Sequence, residues 1–225
     1  MCIRDSMKAY AFKTTDLGKT WTNIIPNDDV TGFIRNIQED YVNKDLLFLG
    51  TELGLYITIN GGDKWSKFTK NVPPVAIHYI ELQANTNDLV MGTHGRGVII
   101  IDDISPLREI NETNLSNKLY FFERDKFEIQ EFGGFADNFG RETQFIGANP
   151  SLSCQIQYLL PKRHTFGKMT MEIQDMEGNK VTTLNPGKTK GINTVEWNYN
   201  MRTPKIAKGK TLSFGGFTSP TVPAG

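Results

Sequence analysis

The sequence predicts an all-β protein: the last blades of a β-propeller followed by a β-sandwich, truncated at both ends. Three observations carry that expectation. A frame of Ser/Thr-x-Asp/Asn-x-Gly-x-x-Trp occurs at residues 14–21 (TTDLGKTW) and returns 44 residues on at 58–65 (TINGGDKW). A period of roughly 40–45 residues built from short strands is the signature of a propeller blade. Short apolar runs alternate with turns throughout, and the composition is rich in Gly (21) and Phe (14) without long helical periods, as all-β chains are.

Taken in order, residues 1–6 (MCIRDS) fit neither a strand pattern nor the repeat. They are set aside as a non-native extension. Residues 7–107 form the propeller portion. Residues 7–13 (MKAYAFK) read as a strand entering the first turn, and 21–25 as the return strand. One full cycle follows: strands at 33–37, 45–51 (DLLFLGT), 54–60 (GLYITIN) and 64–68, four per period as a blade requires. The cycle restarts at 77–83 (IHYIELQ), 88–93 (DLVMGT) and 96–102 (RGVIIID), and Ser105-Pro106 then breaks it before a third turn.

Residues 108–146 connect the two portions. Within the irregular stretch around them, 119–122 (LYFF) reads as a strand, 123–130 as a weaker one, and the Gly-, Phe- and Asn-rich run 132–141 as a loop with aromatic anchors. Residues 147–225 carry strand runs at 154–160, 168–175, 180–184 and 192–199, with turns at 176–179 and 185–187. Strands about ten residues apart suggest a sandwich of immunoglobulin type. Trp197 is its expected core aromatic, and its last strand is missing.

The repeated turn resembles the Asp-box of bacterial neuraminidase repeats, found in sialidases, xyloglucan-type glycoside hydrolases and the ten-bladed sortilin luminal domain. The runs 47–56 (LFLGTELGLY), 87–97 (NDLVMGTHGRG) and 101–108 (IDDISPLR) make residues 32–107 similar to the closing blades of bacterial sortilin-like or BNR-repeat proteins, often described as glycosyl hydrolases. Residues 181–184 (VTTL) and 191–198 (GINTVEWN) resemble the Ig-like module that ends such proteins. The second turn departs from the pattern, with Asn60 for Asp and Lys64 for Thr. That change weakens its bonding without moving Trp65. The resemblance implies a secreted, extracellular or cell-envelope protein, and turns that lie on the periphery, away from any substrate.

Function follows less directly. Lys+Arg and Asp+Glu number 25 each, which gives no electrostatic case for nucleic acid. No run of 18 or more apolar residues offers a membrane span. Cys154 is expected to be a free thiol, since its only companion, Cys2, lies in the extension set aside. Asp16 is a carboxylate at a recurrent position, and glycosidases use carboxylates. An Asx-type turn needs the same residue for purely structural reasons, with Gly18 and Gly62 at positive φ and Trp21 and Trp65 buried under a neighbouring blade. Asp16 is therefore assigned to the turn, and no residue to catalysis.

The opposite end of the strands holds the candidate ligand-binding residues. Glu52 lies in the link between the second and third strands of one cycle, and His94 and Arg96 in that of the next. Arg35 and His78 fall at matched positions of the innermost strands. Such a set suits an anionic, carbohydrate or peptide ligand; its plainer role is to hydrogen-bond neighbouring blades. His78 and His94 lack a third ligand at metal-site spacing, and neither a metal nor a cofactor is expected. The reading is a non-catalytic binding or scaffold portion of a secreted propeller protein. The alternative is part of a glycoside hydrolase acting on polysaccharide, its carboxylates mainly in blades outside this sequence; a sortilin-like peptide receptor fits the same blades.

Overall fold

The computed structural model describes residues 8–26, 28–124, 153–202 and 220–222. The protein is all-β, with two short helices among the described residues, and divides into two compact units, Met1–Glu112 and Thr113–Gly225. The first unit holds three antiparallel sheets. A two-stranded sheet pairs β1 (Phe12–Lys13) with β2 (Thr22–Asn23). A four-stranded meander runs β3 (Ile34–Glu39), β4 (Leu47–Thr51), β5 (Gly54–Thr58) and β6 (Ser66–Phe68) in chain order. A third sheet repeats it as β7 (Ile77–Gln83), β8 (Asp88–Thr93) and β9 (Val98–Ile101), with no fourth strand among the described residues. The expected strand over residues 7–13 shrinks to β1; Lys8 makes only an isolated bridge to Thr31.

The central meander is buried on both faces, and every residue of β4 and β5 is buried. One face contributes Leu47, Leu49 and Tyr56 to a cluster with Ile24, Ile25 and Val30 of the segment around the first sheet. The other contributes Phe48, Leu55 and Ile57 to a cluster with Ile80, Leu89 and Met91 of the third sheet. Side chains alternate across a strand, so continuous burial means a sheet sandwiched between two others. Glycine sets the close approaches. A methyl group on Gly50 would stand 2.9 Å from the Ile77 carbonyl oxygen; one on Gly62 would lie 2.7 Å from Ile24 Cβ.

A buried charge cluster fastens the far end of these sheets. The Asp40 carboxylate takes two bonds from Arg108, Nε to Oδ2 and Nη2 to Oδ1, each 2.9 Å. Its Oδ2 also accepts the Val42 and Asn43 backbone N–H groups at 3.1 and 2.8 Å. Arg108 Nη1 donates to Asn87 Oδ1 at 2.7 Å, and the guanidinium lies 4.7 Å from the Tyr41 ring centre. Arg108 sits on α1 (Ser105–Glu109), which starts where Ser105-Pro106 breaks the strand pattern: proline fits a helix's first turn, where its missing N–H costs nothing. A second short helix, α2 (Glu112–Ser116), follows.

The second unit has a sheet ordered β10 (Tyr120–Phe121), β11 (Cys154–Leu160), β14 (Gly191–Trp197), and a hairpin of β12 (Met171–Gln174) with β13 (Lys180–Leu184). Both sheets feed one cluster: Tyr158, Leu160 and Val195 meet Met171 and Leu184. Trp197 is not the central aromatic. It is half-buried, its indole N–H donating to the Asn200 carbonyl at 3.0 Å. Tyr158 takes the place, fully buried, because its hydroxyl reaches the Gly187 carbonyl at 2.6 Å and so enters the core satisfied. Cys154 is a free, buried thiol, and burial pushes its pKa up. Of the strand expected over 123–130, residues 123 and 124 are not in a strand and the rest lie outside the described residues, as does the loop at 132–141.

Truncating the charge cluster tests its place in the fold. Arg108→Ala strands the Asp40 carboxylate in a dry site. It is expected to cost about 3–5 kcal/mol of unfolding free energy in urea titration; a loss below about 1 kcal/mol would show that the pair is incidental.

Candidate functional site

The first of the recurrent turns carries a carboxylate, Asp16, a residue type that glycosidases use in catalysis; the second carries Asn60 in its place. In the first, Thr14 Oγ1 accepts the Gly18 backbone N–H at 2.9 Å and donates to Asp16 Oδ1 at 2.8 Å. Asp16 Oδ1 accepts the Thr20 N–H at 2.9 Å, and Oδ2 the Thr20 hydroxyl at 2.7 Å. The second turn keeps the frame: Asn60 Oδ1 accepts from Thr58 Oγ1 at 2.7 Å and from Lys64 N–H at 3.1 Å. It lacks the bond to a second oxygen, since Asn60 offers one oxygen and Lys64 no hydroxyl. Leu17 and Gly61 occupy the same place at φ 60° and 68°, a region that glycine enters without strain.

These bonds decide the chemistry of Asp16. Donation from the Thr20 N–H and hydroxyl, and from the Thr14 hydroxyl, brings its pKa down to about 2. A carboxyl so placed holds no proton near neutral pH, and both its oxygens are already occupied. It braces a turn.

The two tryptophans differ more than their turns do. Trp65 is 3% exposed and donates its indole N–H to the Ile24 carbonyl at 2.7 Å, bridging the second sheet to the first. Trp21 was expected to be buried likewise but is 60% exposed, its N–H turned onto the Gly18 carbonyl of its own turn at 3.1 Å. The physical reason is the neighbour: no described residue stands against Trp21 as Ile24 stands against Trp65.

At the other end of the strands lie the candidate ligand residues. The register makes Glu52 and His94 equivalent, each just after a strand-ending threonine, and makes Arg35 equivalent to His78. Each link is pinned alike, Glu52 N–H to the Phe33 carbonyl at 3.1 Å and His94 N–H to the Ala76 carbonyl at 2.9 Å. The structure brings His78 and His94 together, rings stacked with centres 5.6 Å apart and planes 15° from parallel. Arg35 and Glu52 are not joined in the same way. Glu52 lies over Gly32 and accepts the Phe33 N–H at 3.4 Å, while Arg35 and Arg96 are exposed. Beside the Glu52 link, an open groove of about 570 Å³ is lined by Gly54, Lys67, Phe68, Val72, Pro73 and Pro74. Among the described residues, no three His, Cys, Asp or Glu side chains cluster as metal ligands would, and no helix is long and apolar enough to cross a membrane.

Comparison of the chain with protein-family models, curated proteins and solved structures finds no match.

Sequence reasoning missed the cluster of Asp40, Tyr41, Asn87 and Arg108. Asp40 and Tyr41 lie far along the chain from Asn87 and Arg108, and the one local signal is an Asp following a strand before a turn.

Two measurements bear on the turns. Because the Asp16 carboxyl is held below its ordinary value, the bonding in its turn should be complete above about pH 4 and lost as the pH falls through about 2. A carboxyl-detected NMR titration should place the midpoint near the lower value; one near pH 4 contradicts the bonding described. Separately, Trp65→Phe should cost about 2–3 kcal/mol by leaving the Ile24 carbonyl unpaired and a void beside it, and Trp21→Phe less than about 0.5 kcal/mol, both read by urea unfolding.

Proposed function

We propose that this chain is a non-catalytic binding and scaffold portion of a secreted propeller protein of the sortilin-like, Asp-box kind, with an Ig-like module as its second unit. The supporting observation is the stack in the first unit. A four-stranded meander lies between two partial ones, and the bracing turn falls at the same strand end each time. Asp16, a carboxylate at a recurrent position, is consumed by that turn. This leaves the end carrying Arg35, Glu52, His78, His94 and Arg96 as the binding surface. Exposed guanidinium groups and a stacked imidazole pair suit an anionic carbohydrate or an acidic peptide, the former through bidentate hydrogen bonds and stacking.

Glycan and acidic-peptide arrays probed with the purified chain test the reading. Binding should weaken about tenfold or more in His94→Ala and in Arg96→Ala, and no glycan should be hydrolysed. Turnover of any glycan that disappears in Glu52→Gln would instead establish the hydrolase reading.

A further inference from the structure

Charge balances over the whole chain but not along the second unit. Leu160 pairs with Gly191 and Met171 with Leu184, so both sheets of that unit send out a loop at these paired ends. Residues 161–170 (PKRHTFGKMT) join β11 to β12, and 185–190 (NPGKTK) join β13 to β14. The first loop carries Lys162, Arg163, His164 and Lys168, the second Lys188 and Lys190, and neither contains an acidic residue. The acids Asp175 and Glu177 occupy the turn at the opposite end of the β12–β13 hairpin.

Hydrogen bonds make one patch of the two loops. The His164 backbone N–H donates to the Lys188 carbonyl at 3.1 Å, and Lys188 Nζ donates to the Gly167 carbonyl at 2.7 Å. The second loop is in turn tied to the core. Buried Asn193 accepts the Thr189 N–H at 3.2 Å and its hydroxyl at 2.7 Å, while the Tyr158 hydroxyl holds the Gly187 carbonyl. A loop pair anchored in this way presents its side chains from a rigid base. Lys162, Arg163, His164, Lys168 and Lys190 are exposed, and among them Phe166 stands 87% exposed.

We infer that this loop pair docks on an anionic lipid surface, its cations against the headgroups and Phe166 entering the boundary with the acyl chains. Charge complementarity selects an anionic partner, and the make-up of the patch selects among anions. Arg163 apart, its long cationic side chains are lysines, point charges that follow a diffuse field, whereas bidentate recognition of a defined carboxylate or sulfate favours arginine. An aromatic ring held in water beside lysines gains by entering the headgroup region, as the apolar side chains of interfacial segments do. Proteins that bind single-stranded nucleic acid set several stacking rings in series; these two loops carry one. The inference shares no residue with the ligand surface proposed for the first unit and does not rest on it.

Co-sedimentation of the full chain with lipid vesicles tests the proposal. Vesicles of equal parts phosphatidylserine and phosphatidylcholine should retain the chain, those of phosphatidylcholine alone should not, and raised salt should release it. Lys168→Ala should weaken binding about fivefold, and a triple variant (Lys162→Ala, Lys168→Ala, Lys190→Ala) about a hundredfold, since each cation near such a surface adds its own share. Phe166→Ser should weaken it about tenfold with the salt dependence unchanged, a loss that a purely electrostatic contact would not show. Circular dichroism checks that each variant keeps the β fold, and Lys190→Ala replaces Lys168→Ala if that variant unfolds. Failure to bind the mixed vesicles overturns the proposal, as does equal binding to both kinds or undiminished binding by the triple variant or by Phe166→Ser. Capture by a soluble sulfated polysaccharide without retention on the mixed vesicles assigns the patch to a different polyanion and overturns it as well.

Discussion

A sheet with apolar side chains on both faces has no stable state in water unless something covers each side. The second sheet of the first unit imposes that condition on everything around it. β4 and β5 are buried along their whole length, so the chain before them and the chain after them must both return as covering sheets. The position of each sheet follows from this requirement more than from any single bond. An aromatic ring of the size of Trp65 buries about 150–250 Å², a gross gain of roughly 4–6 kcal/mol, against about 1 kcal/mol for its one hydrogen bond to Ile24. The bond sets the angle of the ring; the burial holds the sheets together. Gly50 and Gly62 let the backbones come close enough for it.

Polar groups do different work at the two strand ends. At the bracing-turn end, Thr14, Asp16 and Thr20 make a closed local set that needs nothing from the rest of the molecule, which is why Asn60 and Lys64 can approximate it. The Asp40–Arg108 cluster is the reverse. It spans three segments, leaves no oxygen of Asp40 free, and would be expensive if half-formed. An apolar stack specifies that sheets cover one another but tolerates sliding. A bidentate guanidinium–carboxylate pair tolerates very little, and so fixes where α1 closes the third sheet.

Strand patterning was readable wherever burial alternates or is complete. β7, β8, β11 and β13 occupy the runs that their apolar periods mark, since half-buried strands write their register into the sequence. The short helices escaped, since α1 and α2 span five residues each, too few to establish any period; β1 and β2 fall inside the runs expected at 7–13 and 21–25 but keep only two residues each. Trp197 and Tyr158 show a second limit. Size favoured the tryptophan, but which ring enters the core was decided by which polar tip could find a carbonyl, and Gly187 is 29 residues from Tyr158. The pairing of residue 40 with residue 108 was unreadable for the same reason. At the candidate site, the matched positions Arg35 with His78 and Glu52 with His94 could be found from the repeat, but not that only one of the two pairs would meet.

That difference bears on where recognition resides. A side chain serves the fold when its hydrogen-bonding capacity is spent inside the protein, and is available to a ligand when it is not. Asp16 has the residue type that chemistry favours, yet Thr14 and Thr20 take both its oxygens. Glu52 is partly spent, leaning over Gly32 toward the Phe33 N–H. Arg96, by contrast, extends from a glycine-flanked link into solvent, and His94 next to it keeps its ring stacked on His78 while its backbone alone secures the link. Backbone anchoring with the side chain left outward is how a loop presents recognition groups from a rigid scaffold. By that criterion the proposed binding surface rests on His94 and Arg96, whose side chains are exposed, and not on Asp16.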